Sequence, residues 1–154
     1  MVFKNIILTT DLSDNSAAAT PYAVELARQF GGRINLVHVF EDASLLATTS
    51  EDAFAAATAS QTGWMTLARQ QREVALKALA ESLAATEKLE VTPIFRQGPP
   101  ATEIVDAAKQ VNADCIIIST HGRTGLSHLL FGSVAERVVR LSEIPVLTVR
   151  PKTK

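Results

Sequence analysis

Cysteine is nearly absent. Cys115 is the one cysteine in 154 residues, which excludes an intramolecular disulfide framework and any cysteine-rich zinc module. An excess of either charge is also missing. Fifteen Lys and Arg stand against sixteen Asp and Glu, a net charge of −1. No basic field is available to hold duplex nucleic acid or an anionic membrane, so neither is expected as a partner. No apolar run approaches the roughly 18 residues that a bilayer span needs. Lys4 and Asn5 interrupt the opening segment and Asp11 follows soon after, a pattern that predicts no secretory leader. Apolar residues make up 47 % and charged residues 20 %, a balance suited to a packed core and too apolar for a disordered chain. The length is that of a single domain, 1–154. The expectation is a soluble cytoplasmic protein.

Five apolar runs alternate with helical patterns. Ile6-Ile7-Leu8 is continuous, as in a strand covered on both faces. Asp11, Ser13, Asp14, Asn15 and Ser16 follow as turn formers and helix caps. Ala19, Tyr22, Ala23, Leu26, Ala27 and Phe30 recur at helical steps until Gly31-Gly32 ends the pattern. Arg33 to Phe40 reads as a second strand. The stretch from Glu41 to Gly63 has weak periodicity and reads as a loop or a marginal helix. Trp64 to Glu87 reads as a long helix, with Leu67, Ala68, Val74, Ala75, Ala78, Leu79 and Leu83 expected inside. Val91 to Arg96 is a third strand, placed at an edge by Pro93, whose missing N–H matters least there. Pro99-Pro100 opens a helix with Ile104, Val105 and Ala108 inward. Asp114 to Ser119 is the most apolar strand. Gly132-Ser133 opens a last helix, with Val134, Val138 and Leu141 on one face, before a fifth strand at 145–150. Alternation of this kind predicts an α/β fold: an open five-stranded parallel sheet with helices on both faces.

In such a sheet, ligands bind beyond the carboxyl ends of the strands, where strand order reverses. The residues expected there are Thr9, Thr10 and Asp11, then Val39 and Phe40, then Ser119 to Gly122. A helix start at Gly132-Ser133 would offer unpaired N–H donors and partial positive charge to a phosphate. The plainer reading gives Gly122 and Gly125 to a turn and Ser133 to a cap. There is no Gly-x-x-x-x-Gly-Lys-Ser/Thr stretch, and no Gly-x-Gly-x-x-Gly follows a strand, so neither a P-loop nor a dinucleotide fingerprint is present.

Residues 119–140, Ser-Thr-His-Gly-Arg-Thr-Gly through Phe-Gly-Ser-Val-Ala-Glu-Arg-Val-Val-Arg, resemble a signature of the universal stress protein family. The segments Ile-Ile-Leu-Thr-Thr-Asp-Leu-Ser at 6–13, Leu-Val-His-Val at 36–39 and Ile-Pro-Val-Leu-Thr-Val-Arg at 144–150 agree in order and spacing. The resemblance spares only the stretch between about 41 and 63. It implies a Rossmann-like sheet of strand order 3-2-1-4-5. One branch of that family binds ATP through Gly, two residues, Gly, nine residues, Gly and Ser/Thr. Gly122, the nine residues Arg123 to Phe131, Gly132 and Ser133 match that motif, and Ser119 replaces its first glycine. The resemblance therefore implies ATP as the ligand, with Mg²⁺ as a candidate companion. Asp11 would hold ribose or metal, Thr9 and Thr10 would line the pocket, and the Val39 backbone would read the adenine edge. Ser119, Gly122, Arg123, Gly132, Ser133 and the Val134 backbone would surround the phosphates. Should the position of Ser119 demand a left-handed backbone, its Cβ would cost roughly 1–2 kcal/mol.

The expected protein is a nucleotide-responsive stress or signalling switch, dimeric through strand 145–150, with an unidentified protein partner. Two alternatives stand beside it. One is a slow Mg²⁺-dependent ATP hydrolase, for which Asp11 and His121 are the only groups able to orient water. The other is an interaction protein whose pocket Ser119 leaves empty of nucleotide. His121 and His128 lack the companions of a zinc site, and no catalytic residue is assigned. His38 and Cys115 read as packing residues.

Overall fold

A computed structural model of the chain describes residues 3–41, 51–120 and 132–151, without the side chains of 51–62. In chain order the elements are β1 (Asn5–Thr9), α1 (Asp14–Ala17), α2 (Thr20–Phe30), β2 (Arg33–Phe40), α3 (Glu51–Glu87), β3 (Val91–Gln97), α4 (Pro100–Gln110), β4 (Cys115–Ser119), α5 (Ser133–Leu141) and β5 (Val146–Val149). The strands form one parallel sheet in the order β3-β2-β1-β4-β5. This is the expected fold, and Pro93 lies on the edge strand β3, opposite Leu36.

The apolar runs divide between two cores, because successive strand side chains point to opposite faces. Ile6, Leu8, Ile34, Leu36 and Ile117 pack with Ala23 and Ala27 of α2 and with Leu76 and Ala80 of α3. Ile7, Val37, Ile116 and Ile118 pack with Ile104 and Val105 of α4 and with Ala135 and Val138 of α5. A run such as Ile6-Ile7-Leu8 thus fills both layers. Each fully buried Ile or Leu contributes about 1.5–3 kcal/mol.

Two expectations change. The helix expected over Ala19–Phe30 is α2, but a further short helix, α1, precedes it within the turn-forming segment, and Pro21 in the first turn of α2 keeps the two apart. Helix α3 begins at Glu51, thirteen residues before Trp64, and packs through a different face. Leu76 and Ala80 are buried and Leu83 is half-buried, whereas Leu67, Val74 and Leu79 are exposed by 47 %, 66 % and 41 %. Apolar residues lie on both sides of this Ala- and Leu-rich helix, so its periodicity singles out no stripe.

A polar network closes the sheet's amino end. The Asn5 side-chain oxygen accepts from Asn35 Nδ2 at 2.7 Å and from Arg33 Nε at 3.1 Å. Its amide donates to the carbonyls of Val111 and Asn112. The Asp114 carboxylate accepts the backbone N–H groups of Lys4 and Asn5 at 2.9 and 2.8 Å. Gly32 passes so close that an added Cβ would stand 2.7 Å from Lys4 O.

Candidate functional site

At the opposite, carboxyl end of the strands lies a cavity of about 390 Å³. Its floor is set by β1. The Thr10 N–H donates to Val37 O at 2.9 Å, extending the β1–β2 ladder past Thr9. The chain then turns sharply. Leu12 takes the left-handed conformation, φ 63°, unusual for a branched residue, and its N–H donates to Thr10 Oγ1 at 3.0 Å. Asp11 Oδ1 accepts from the Ser13 N–H at 3.0 Å and from Ser13 Oγ at 2.5 Å, which fixes the carboxylate at the cavity. Ser13 in turn caps α1. The strain of one left-handed residue therefore accompanies an acidic group held in a set orientation, as functional turns often show.

Beyond β2, Val39 and Phe40 border the cavity. His38 is buried, as expected for a packing residue, and also reaches the cavity wall. Its Nδ1 donates to Thr10 O at 2.8 Å, since a carbonyl can only accept.

The third wall joins β4 to α5. Thr120 donates its N–H to Val149 O at 2.8 Å, and the Gly132 N–H donates to Thr120 O at 2.7 Å. A Cβ at Gly132 would stand 2.6 Å from that same carbonyl, so only glycine brings the start of α5 this close to β4. Gly132 is the N-cap of α5 and provides no capping side chain. The first-turn amides, the exposed Ser133 and the Val134 backbone are thus presented at the cavity, a donor set suited to anionic oxygens.

Ser119 does not carry the strain its replacement of glycine threatened. Among the described non-glycine residues φ is positive only at Leu12, Lys88 and Asn112, so the backbone at 119 accepts a Cβ without penalty. The Ser119 hydroxyl donates to Asn15 O at 3.0 Å, which ties β4 to α1 beside the cavity.

Of the residues that the sequence singles out, Thr9, Thr10 and Asp11, Val39, Ser119, and Gly132, Ser133 and Val134 border one cavity. Gly122 and Arg123 lie outside the described residues, as do His121, Gly125 and His128. Among the lining groups that the sequence did not point to are Glu41 after β2, Ile104 of α4 and Arg72 of α3. The sign of Arg72 lay in its register, one turn before Leu76 and two before Ala80, but only once the buried face of α3 is known. Cys115 is buried away from this site. Burial pushes its thiol pKa up, a backbone hydrogen bond from Leu147 pulls it down, and the nearby Asp114 charge raises it further. A nucleophile needs the opposite shift.

Among the described residues, no helix is long and apolar enough to cross a membrane, and no group of three or more His, Cys, Asp or Glu could hold a metal ion by itself.

Comparison with known proteins gives a consistent result. Residues 2–150 match the model of the Universal stress protein family. Universal stress protein MJ0531 of Methanocaldococcus jannaschii is 30 % identical, over 99 % of this chain and 85 % of that protein. The solved structure of MJ0577 of the same organism is 25 % identical, with a TM-score of 0.79 and all of both chains covered. A universal stress protein of Archaeoglobus fulgidus, solved in complex with dAMP, shares the fold with a TM-score of 0.63 and 24 % identity, over 97 % of this chain and 99 % of that one.

Proposed function

The chain belongs to the universal stress protein family, and from that premise we propose that it binds an adenine nucleotide, ATP, across the carboxyl ends of its strands. The observation that carries the reading is the meeting, in one cavity, of the Asp11 carboxylate and the open amide turn at Gly132–Val134. The amides receive phosphate oxygens through directed donors and the helix dipole. Asp11 accepts a ribose hydroxyl or supplies one ligand of Mg²⁺. A hard cation of this kind binds through one or two carboxylates plus substrate phosphates, which suits the Asp11 carboxylate held at this cavity. The base lies toward β2, against Val39. The capture of dAMP by the related A. fulgidus protein supports an adenine ligand.

The protein acts as a cytoplasmic dimeric switch. Strand β5 is an edge strand with Leu147 exposed by 36 % and Val146 half-buried, and a second copy paired across a two-fold would cover it. Nucleotide at the β4–α5 junction changes the surface offered to an unidentified protein partner.

Isothermal titration of ATP into the purified protein, with Gly132→Asp beside it, tests the binding. Saturable binding by the wild type and its loss in the variant are expected. No binding by the wild type, or equal binding by both, contradicts the reading.

A further inference from the structure

We propose that Arg72 reads the nucleobase, its planar guanidinium stacking on the flat face of the base; this rests on the nucleotide reading above. Helix α3 packs on the sheet face that carries α2, through Leu76 and Ala80, and touches β2 and β3. Helix α5 packs on the other face, with α4, and touches β5. In the strand order β3-β2-β1-β4-β5, Arg72 therefore enters from the β2–β3 side and the amide turn of α5 from the β4–β5 side. From β2 to β4 alone is two strand spacings, about 10 Å. A phosphate tail seated on α5 leaves the other end of its nucleotide toward Arg72.

The surroundings at that end suit a base better than an anion. Val39 and Ile104 belong to the apolar cluster of the α4 face, Arg72 comes from the α3 face, and all three line the cavity. Arg72 is half-buried, while its neighbours Arg69, Gln70 and Gln71 are exposed. It sits one turn before Leu76, which is 1 % exposed, so the stem starts from an anchored stretch of helix. Among the described lining residues it is the one Lys or Arg. A guanidinium is planar, delocalised and weakly hydrated, and stacks on aromatic faces where an ammonium does not.

The test compares ATP, AMP and adenosine by calorimetric titration of the wild type, Arg72→Met and Arg72→Lys. Methionine keeps an apolar stem without the plane; lysine keeps the charge without the plane. Thermal unfolding of all three proteins checks that the fold is retained. A base contact predicts that both variants lose about tenfold in affinity, by a similar factor for each ligand. A loss that grows from adenosine to ATP, full rescue by lysine, or unchanged affinity overturns the proposal. If the wild type binds none of the three ligands, the nucleotide reading itself fails, and that outcome is distinct from equal binding by wild type and variants.

Discussion

The N–H of Gly132 donates to the carbonyl of Thr120 at 2.7 Å. This bond joins the start of α5 to the end of β4 and sets the amide turn at the same cavity as Asp11. An added Cβ at Gly132 would lie 2.6 Å from that carbonyl, and the obstacle is backbone, which cannot swing aside. Gly132→Ala therefore pushes α5 outward. ATP affinity falls at least about tenfold and stability by about 1–3 kcal/mol, as overpacking costs. Titration and chemical denaturation of the same preparation measure both.

Asp11→Asn separates charge from shape. The Asn oxygen still accepts from the Ser13 N–H, now 3.0 Å from Asp11 Oδ1, so the turn holds and unfolding changes by less than about 1 kcal/mol. The carboxylate proposed to hold Mg²⁺ is gone. Added Mg²⁺ strengthens ATP binding by the wild type and has little effect on the variant; titrations with Mg²⁺ and with EDTA read the difference.

The far end of the sheet gives a prediction of the opposite kind. Asn35→Leu removes the donor held 2.7 Å from Asn5 Oδ1 in the buried network. The expected loss is about 1–3 kcal/mol of stability from an acceptor left short of its partner. ATP affinity stays within about twofold, since the cavity lies at the other end of the strands. Denaturant melts and titration distinguish the two effects.

Cys115 links stability to alkaline pH. Its thiol is raised by burial in the folded chain, so the unfolded chain ionises first. The contribution is complete below the ordinary thiol pKa, about 8.5, and is lost as pH rises from there toward the folded value. Denaturation at pH 7 and pH 10 shows a larger fall for the wild type than for Cys115→Ala. Native protein reacts slowly with iodoacetamide at pH 8, and unfolded protein reacts at once.

The proposed dimer is tested at Leu147, exposed on the edge strand β5. Leu147→Arg places a charge in the expected interface. Sedimentation velocity resolves a dimer for the wild type and a monomer for the variant, with unchanged circular dichroism.

The strands were legible in the sequence because each is short, apolar and bounded by turn formers, and because Pro93 and Gly31 marked an edge and a helix end. Alternation of strands and helices then led to the carboxyl ends of the strands, and Asp11 and Gly132 do share a cavity there. Helix α3 was hardest to read. Its small and apolar residues surround the whole helix, so the inner face at Leu76 and Ala80 carries no stronger pattern than the outer one at Val74. That ambiguity concealed Arg72. The left-handed Leu12 was hidden for another reason: a branched residue gives no sign of such a backbone, which here accompanies the side-chain oxygens of Thr10 and Asp11 accepting from the turn. The cost of Ser119 depended on φ, which composition and spacing do not disclose.

A crystal structure of the protein grown with ATP and Mg²⁺ decides whether the cavity is a nucleotide site. Phosphate oxygens are expected within hydrogen-bond distance, about 3 Å, of the first amides of α5, with the Asp11 carboxylate on the ribose or the metal of the same molecule. ATP bound elsewhere on the surface, or seated with its phosphates turned away from Ser133 and Val134, would contradict that reading.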